Sequence, residues 1–282
     1  MQLIKILGFS HIVIAMGAGV TVYVTGFALG LEGAFFQAAL IVGALTGLGY
    51  TTQRFIKTMF FPSSAPAERN AYMKSYGLGL FIIWSAIVVV AFLFVEVMLS
   101  TSTLIVGLFL ISTGLMYALV PAREIPYLKL PFISLVWAIA TVILPIYCTG
   151  LEDDIDVWTV LAIVLSRGLY IAGLTIPFDV RDLDIDRLDM KTVPQTMGVA
   201  SSLYWAMILV GSSAILWFGL AASQSINGYV GIALGIHAVV TIPFVSPPFA
   251  GINRHEIYHT FVLDGILVAQ IWALPISALC FI

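Results

Sequence analysis

Thr175-Ile-Pro-Phe-Asp179-Val-Arg181-Asp182-Leu-Asp184-Ile-Asp186-Arg187-Leu-Asp189-Met-Lys191-Thr-Val-Pro-Gln195 is the stretch on which the reading of this chain turns. Only 10% of the residues are charged, yet five of the fifteen acidic ones fall between Asp179 and Asp189. They follow directly on a run apolar enough to lie in lipid, so a dense group of carboxylates stands at the end of a membrane helix.

The composition around it places the chain in a membrane. With 61% hydrophobic residues and a mean hydropathy of +1.07, it lies well outside the soluble globular class. A helix needs about 20 mostly apolar residues to cross the hydrocarbon core, where an unpaired backbone amide is too costly. Nine such runs are expected: residues 6–31, 34–52, 77–98, 101–120, 131–150, 157–177, 199–221, 226–244 and 259–282. The first run exceeds a signal-peptide core and has no small-residue cleavage site, so it reads as a retained span. The expectation is an all-α polytopic protein, residues 1–282 forming one transmembrane domain.

Basic residues set the orientation. Lys5, Arg54, Lys57, Arg69, Lys74, Arg123, Lys129, Arg181, Arg187, Lys191 and Arg254 all fall on one side of the nine runs. The positive-inside rule makes that side cytoplasmic, with the N-terminus inside and the C-terminus outside. The opposite side carries Glu32, Glu96 and the group Glu152, Asp153, Asp154 and Asp156, which reads as a solvated loop. Cys148 and Cys280 lie near the outer ends of their runs, so a disulfide and two buried thiols are both open. The longer polar loops are cytoplasmic, which puts the working end there. No nucleic-acid partner is expected.

Asp179, Asp182 and Asp186 follow the spacing i, i+3, i+7, one face of a continuing helix. Carboxylates stacked in this way repel one another unless cations neutralise them. Oxygen ligands favour hard cations, and Mg²⁺ is commonly held by one or two carboxylates together with substrate phosphate oxygens. Arg181, Arg187 and Lys191 are interleaved among the acids, which supplies the positive charge a phosphate needs. The alternative is an ordinary solvated helix end.

This stretch, with Lys191, Thr192 and Gly198 after it, resembles the second aspartate-rich motif of the UbiA superfamily of membrane prenyltransferases. The nearest likeness is to the menaquinone branch, N-x-x-R-D-x-x-x-D-R followed by G-K-x-T. The likeness extends to nine spans, to the motif's place after the sixth, and to Pro126-Tyr127-Leu128-Lys129 opening the fifth. It implies nine helices around a central cavity and a prenyl diphosphate held through Mg²⁺ by Asp179, Asp182 and Asp186. It further implies an aromatic or quinone-precursor acceptor. The first motif, N-D-x-x-D, is absent: the end of the second run reads Gly49-Tyr-Thr-Thr-Gln-Arg54-Phe-Ile-Lys57, and Met190 replaces the glycine before the lysine. Arg54 and Lys57 are therefore candidates for direct contact with a diphosphate, or else anchors snorkelling to headgroups. Lys129, Arg181 and Lys191 join them as candidate diphosphate ligands. With one motif altered, capture of the carbocation by its own chain, as in a terpene cyclase, stands beside transfer to an acceptor.

Arg167 is the one basic residue in mid-span. Burying it costs roughly 2.5–3.5 kcal/mol on the mildest scale, so it is either a cavity cation beneath the diphosphate or a bridge to Glu96 or Asp264. His11 and His237 read as satisfied core groups. His255-Glu256-Ile-Tyr-His259 matches the zinc-protease pattern H-E-x-x-H, and Leu263-Asp264-Gly265 resembles the L-D-G of intramembrane zinc proteases. On a regular α-helix, however, Asp264 stands about 140° around from His259, a poor place for a third ligand. A transporter would need polar or broken helices at mid-membrane in both halves; a catalytically inactive homologue is a further alternative.

Overall fold

A computed structural model describes residues 2–60, 67–95, 100–119, 125, 127–184, 191–252 and 254–274. The described chain is helical. It runs α1 (Gln2–Phe9), α2 (Ile12–Leu29), α3 (Glu32–Phe60), α4 (Ala67–Phe94), α5 (Thr101–Leu119) and α6 (Lys129–Ala138). A π-helical segment, Ile139–Ile143, joins α6 to α7 (Leu144–Thr149). Then follow α8 (Val157–Arg181), α9 (Val193–Met197), α10 (Val199–Ala222), α11 (Gly228–Thr241) and α12 (Pro247–Ala250). A second π segment, Tyr258–Leu263, leads into α13 (Asp264–Ala269) and a short 3₁₀ turn.

Among the described residues seven helices are long and apolar enough to cross a membrane, and Thr101–Tyr117 is a shorter apolar helix. The ninth run is described only as far as Leu274, so seven candidate crossings are shown and not the nine expected. The first run is also not one helix. It breaks between α1 and α2 at His11, whose backbone is left-handed with φ 64°. Such a conformation is uncommon outside glycine and needs support from its surroundings. Two bonds provide it: the Trp84 indole donates to the Ser10 carbonyl at 2.9 Å, and His11 Nδ1 lies 2.9 Å from Thr51 Oγ1.

Neighbouring helices pack in sequence, α2 on α3, α3 on α4, α6 on α8, α8 on α10 and α10 on α11, and α13 returns to α2. The bundle therefore closes on itself. Its outward surface stays apolar: Leu93, Phe94, Ile105, Leu108, Trp158 and Ile215 are all exposed. In water that would be a liability, whereas hydrocarbon solvates it.

The acidic group between α7 and α8 has a structural use. Asp156 caps α8, accepting from the Thr159 amide at 2.9 Å and from its hydroxyl at 3.1 Å, as an N-cap aspartate does. His237 is a satisfied core group. An indole can only donate, so Trp272 Nε1–H makes His237 Nδ1 the acceptor (2.9 Å). Nε2–H then donates to Tyr170 Oη (2.9 Å), whose hydroxyl in turn donates to Thr241 Oγ1 (3.0 Å).

Candidate active site

The ends of α3, α4, α6 and α8 that carry charge converge on one cavity of about 610 Å³. Its polar end is lined by five cations, Arg54, Lys57, Arg69, Lys129 and Arg181, and by three carboxylates, Asp179, Asp182 and Asp264. The remaining wall is mainly apolar, with Leu45, Leu110, Ile111, Ile133, Val136 and Leu144 among its members, and the rings of Tyr50, Tyr117, Phe132, Trp137 and Phe178 stand around it. Both π segments contribute to this wall, the first through Ala140 and Thr141, the second through Thr260 and Leu263. A π turn inside a helix frequently marks a functional site.

The carboxylates do not form the expected stripe. Helix α8 ends at Arg181, and Asp182 is already its C-cap residue. A continued helix would have stacked more carboxylates at its C-terminus, where the helix dipole is negative and repels them. The acids are instead divided among cations. Asp179, only 1% exposed, pairs with Lys129 Nζ at 2.8 Å. Asp182 takes both arms of the Arg181 guanidinium, at 2.6 and 2.9 Å, the planar fork geometry that suits arginine to a carboxylate. Burial alone would raise the Asp182 pKa; Arg181 outweighs it, with help from Lys129 and Arg54, and holds the carboxyl well below the usual range. Asp186 and Arg187 lie outside the described residues.

These pairings bear on Mg²⁺. A carboxylate already neutralised by its own cation is a poor metal ligand, and among the described residues no three His, Cys, Asp or Glu side chains converge to hold an ion. Asp179 and Asp182 as they stand do not fit the site the resemblance implies.

Lys57 is 5% exposed and lies over the Tyr117 ring at 4.7 Å, so it lines the cavity and is not an anchor snorkelling to headgroups. Arg54 lines the cavity from the same helix. Lys191 stands exposed over Tyr127, 5.8 Å from its ring, at the residue preceding Thr192, whose capping box with Gln195 opens α9. Arg167 lies away from the cavity lining. It donates to Gln270 Oε1 (3.0 Å) and Thr25 Oγ1 (3.1 Å) and lies over Trp217, so its described partners are neutral and Asp264 is not among them; Glu96 lies outside the described residues.

The H-E-x-x-H run takes a different part. Its Glu256 accepts from both Arg69 and Arg181, which removes the free carboxylate a water-activating base requires. His255 is exposed and His259 buried. The π turn brings the Asp264 amide onto the His259 carbonyl, so Asp264 follows His259 along the helix and is not 140° away. Two contributors escaped the sequence reading: Arg69 and Glu256, which tie α4, α8 and the segment before the second π turn together across the polar end. Arg69 looked like any other positive-inside anchor.

With this geometry in view, the chain is similar in fold to a solved structure of digeranylgeranylglyceryl phosphate synthase, with a TM-score of 0.54 over 99% of this chain and 100% of that one, at 16% sequence identity. No protein-family model and no curated protein matches it. The fold is shared.

Proposed function

We propose that the protein is a multi-pass membrane enzyme of UbiA type that ionises an allylic prenyl diphosphate and transfers the prenyl group to an aromatic or quinone-precursor acceptor. The observation that carries this reading is the convergence of Arg54, Lys57, Arg69, Lys129 and Arg181 at one end of a cavity whose wall is elsewhere mainly apolar. A diphosphate with a hydrocarbon tail has that same division of polarity. The fold likeness supports it, since the synthase is a prenyltransferase of the UbiA superfamily, and so does the sequence likeness of Asp179 to Arg187.

The chemistry asked of the site is departure of the diphosphate with the C–O electron pair. Cations fixed in a dry site stabilise that developing charge far better than they would in water. Arg54 and Lys57 stand where the superfamily's first carboxylate motif would be, and they act on the phosphate oxygens directly. Lys129 and Arg181 sit deeper in their ion pairs, which hold them in position. The faces of Tyr50, Trp137 and Phe132 shelter the allylic cation. Mg²⁺, if bound, would screen diphosphate charge; Asp186 stays a candidate ligand for it, together with Asp179 and Asp182 only if their pairs open. The site opens to the cytoplasm, with the N-terminus on that side.

The test is to incubate purified protein with allylic diphosphates of increasing chain length, with and without a hydroxyaromatic acceptor, and to follow diphosphate release. Wild type is expected to release it, and Arg54→Gln to do so roughly 10²–10³-fold more slowly, the loss typical of one electrostatic stabiliser. No release from wild type under any combination ends the proposal. Product analysis separates transfer from cyclisation.

A further inference from the structure

The three carboxylates of the cavity are not equivalent. Asp179 is paired with Lys129 and Asp182 with Arg181, while Asp264 lines the same space with neither hydrogen bond nor ion pair to a described side chain. It is carried at the first residue of α13, directly after the second π segment. The charges that act on it from other elements are Arg69 of α4, Arg181 of α8 and Arg54 of α3. Among the described residues no donor takes up its lone pairs, so a carboxyl that lines the substrate space beside these guanidiniums can, in its ionised form, accept a proton from a molecule bound there.

We infer that Asp264 is a catalytic base that takes the proton from a hydroxyl of the acceptor, which makes the acceptor a hydroxyl-bearing molecule. The inference rests on the prenyl-transfer reading. In the step, the acceptor O–H proton passes to the Asp264 carboxylate and an oxygen lone pair forms the bond to C1 of the prenyl group. The C1–O bond to diphosphate breaks, and its electron pair leaves with the diphosphate. A single hydrogen-bonding base of this kind contributes typically 10²–10⁴-fold, and most when the hydroxyl is least acidic.

That gradient is the test. Wild type and Asp264→Asn are given the allylic diphosphate wild type turns over fastest, with 4-nitrophenol, phenol or benzyl alcohol as acceptor, and transfer is counted per diphosphate released. Asp264→Asn is expected to lose transfer to benzyl alcohol by about 10²–10⁴-fold, less to phenol and least to 4-nitrophenol, which arrives already largely ionised. Asp264→Glu, which keeps the carboxylate, is expected to keep the wild-type order of acceptors and so guards against a variant that does not fold. An equal loss with all three acceptors, or none, overturns the base. Diphosphate release by wild type without transfer to any of the three overturns the inference as a whole; no release at all is instead the failure of the prenyl-transfer reading.

Discussion

Single ion pairs decide what the polar end of the cavity can do. Lys129 and Asp179 are both buried, at 9% and 1% exposure, and each is the other's compensation. Lys129→Met is expected to cost about 3–5 kcal/mol, because it strands a buried carboxylate. The double replacement Lys129→Met with Asp179→Leu is expected to recover most of that, since an apolar pair of similar volume has no charge to desolvate. Thermal unfolding in detergent, followed by loss of the monodisperse peak, measures both; a double variant less stable than the single one contradicts the argument. Asp182 supplies a pH test. Its carboxyl is held below the ordinary value by Arg181, so its contribution to stability is complete above the unfolded pKa of about 3.9 and is lost as pH falls through the lower folded value. The melting temperature of wild type should therefore fall on acidification below pH ~4, and that of Asp182→Asn should fall less over the same range.

At the scale of the elements, the break between α1 and α2 and the packing of α3 on α4 are one feature. A Cβ on Gly47 would lie 2.4–2.5 Å from the six-membered ring of Trp84, and Trp84 cannot swing away without giving up the Ser10 carbonyl exposed by the break. Gly47→Ala is accordingly expected to destabilise by about 1–3 kcal/mol, the usual cost of overpacking. Gly114→Ala on α5, where an added Cβ meets nothing within 4 Å, is expected to stay within about 0.5 kcal/mol of wild type or to gain slightly from helix propensity. Comparing the two melting temperatures checks this directly. The π segments belong at this scale too: apolar periodicity shows that a helix is present, while a single widened turn leaves the pattern of residue types unchanged. For that reason Asp264 was misplaced relative to His259 when a regular helix was assumed.

For the molecule as a whole, the charged ends of α3, α4, α6 and α8 lie together at the polar end of the cavity. The α10–α11 connection lies by the far end of α2, where the Asn227 amide donates to the Ala28 carbonyl at 2.7 Å. Reporters on these two ends therefore test the proposed orientation. In a background with Cys148 and Cys280 replaced, Ser225→Cys is expected to react with an impermeant maleimide in sealed right-side-out vesicles. Ser75→Cys is expected to react only after the membrane is permeabilised. The opposite pattern would turn the protein over and place the cavity mouth outside the cytoplasm.

Much of the architecture follows from composition alone, since a chain this apolar has few ways to satisfy its backbone in lipid except as helices, and the gaps between apolar runs mark most of the helix ends. The aspartates after the sixth run likewise announced a charged site at one end of α8. What they pair with was not legible, because Lys129, Glu256 and Arg69 lie between 50 and 187 residues away in sequence from their partners and residue type does not encode a distance. Tertiary structure decided that Asp179 and Asp182 are spent on cations, that Arg167 belongs to Gln270 and Thr25, and that Asp264 is left facing the cavity. Those outcomes depend on which helix ends meet, and helix ends meet only when the bundle closes.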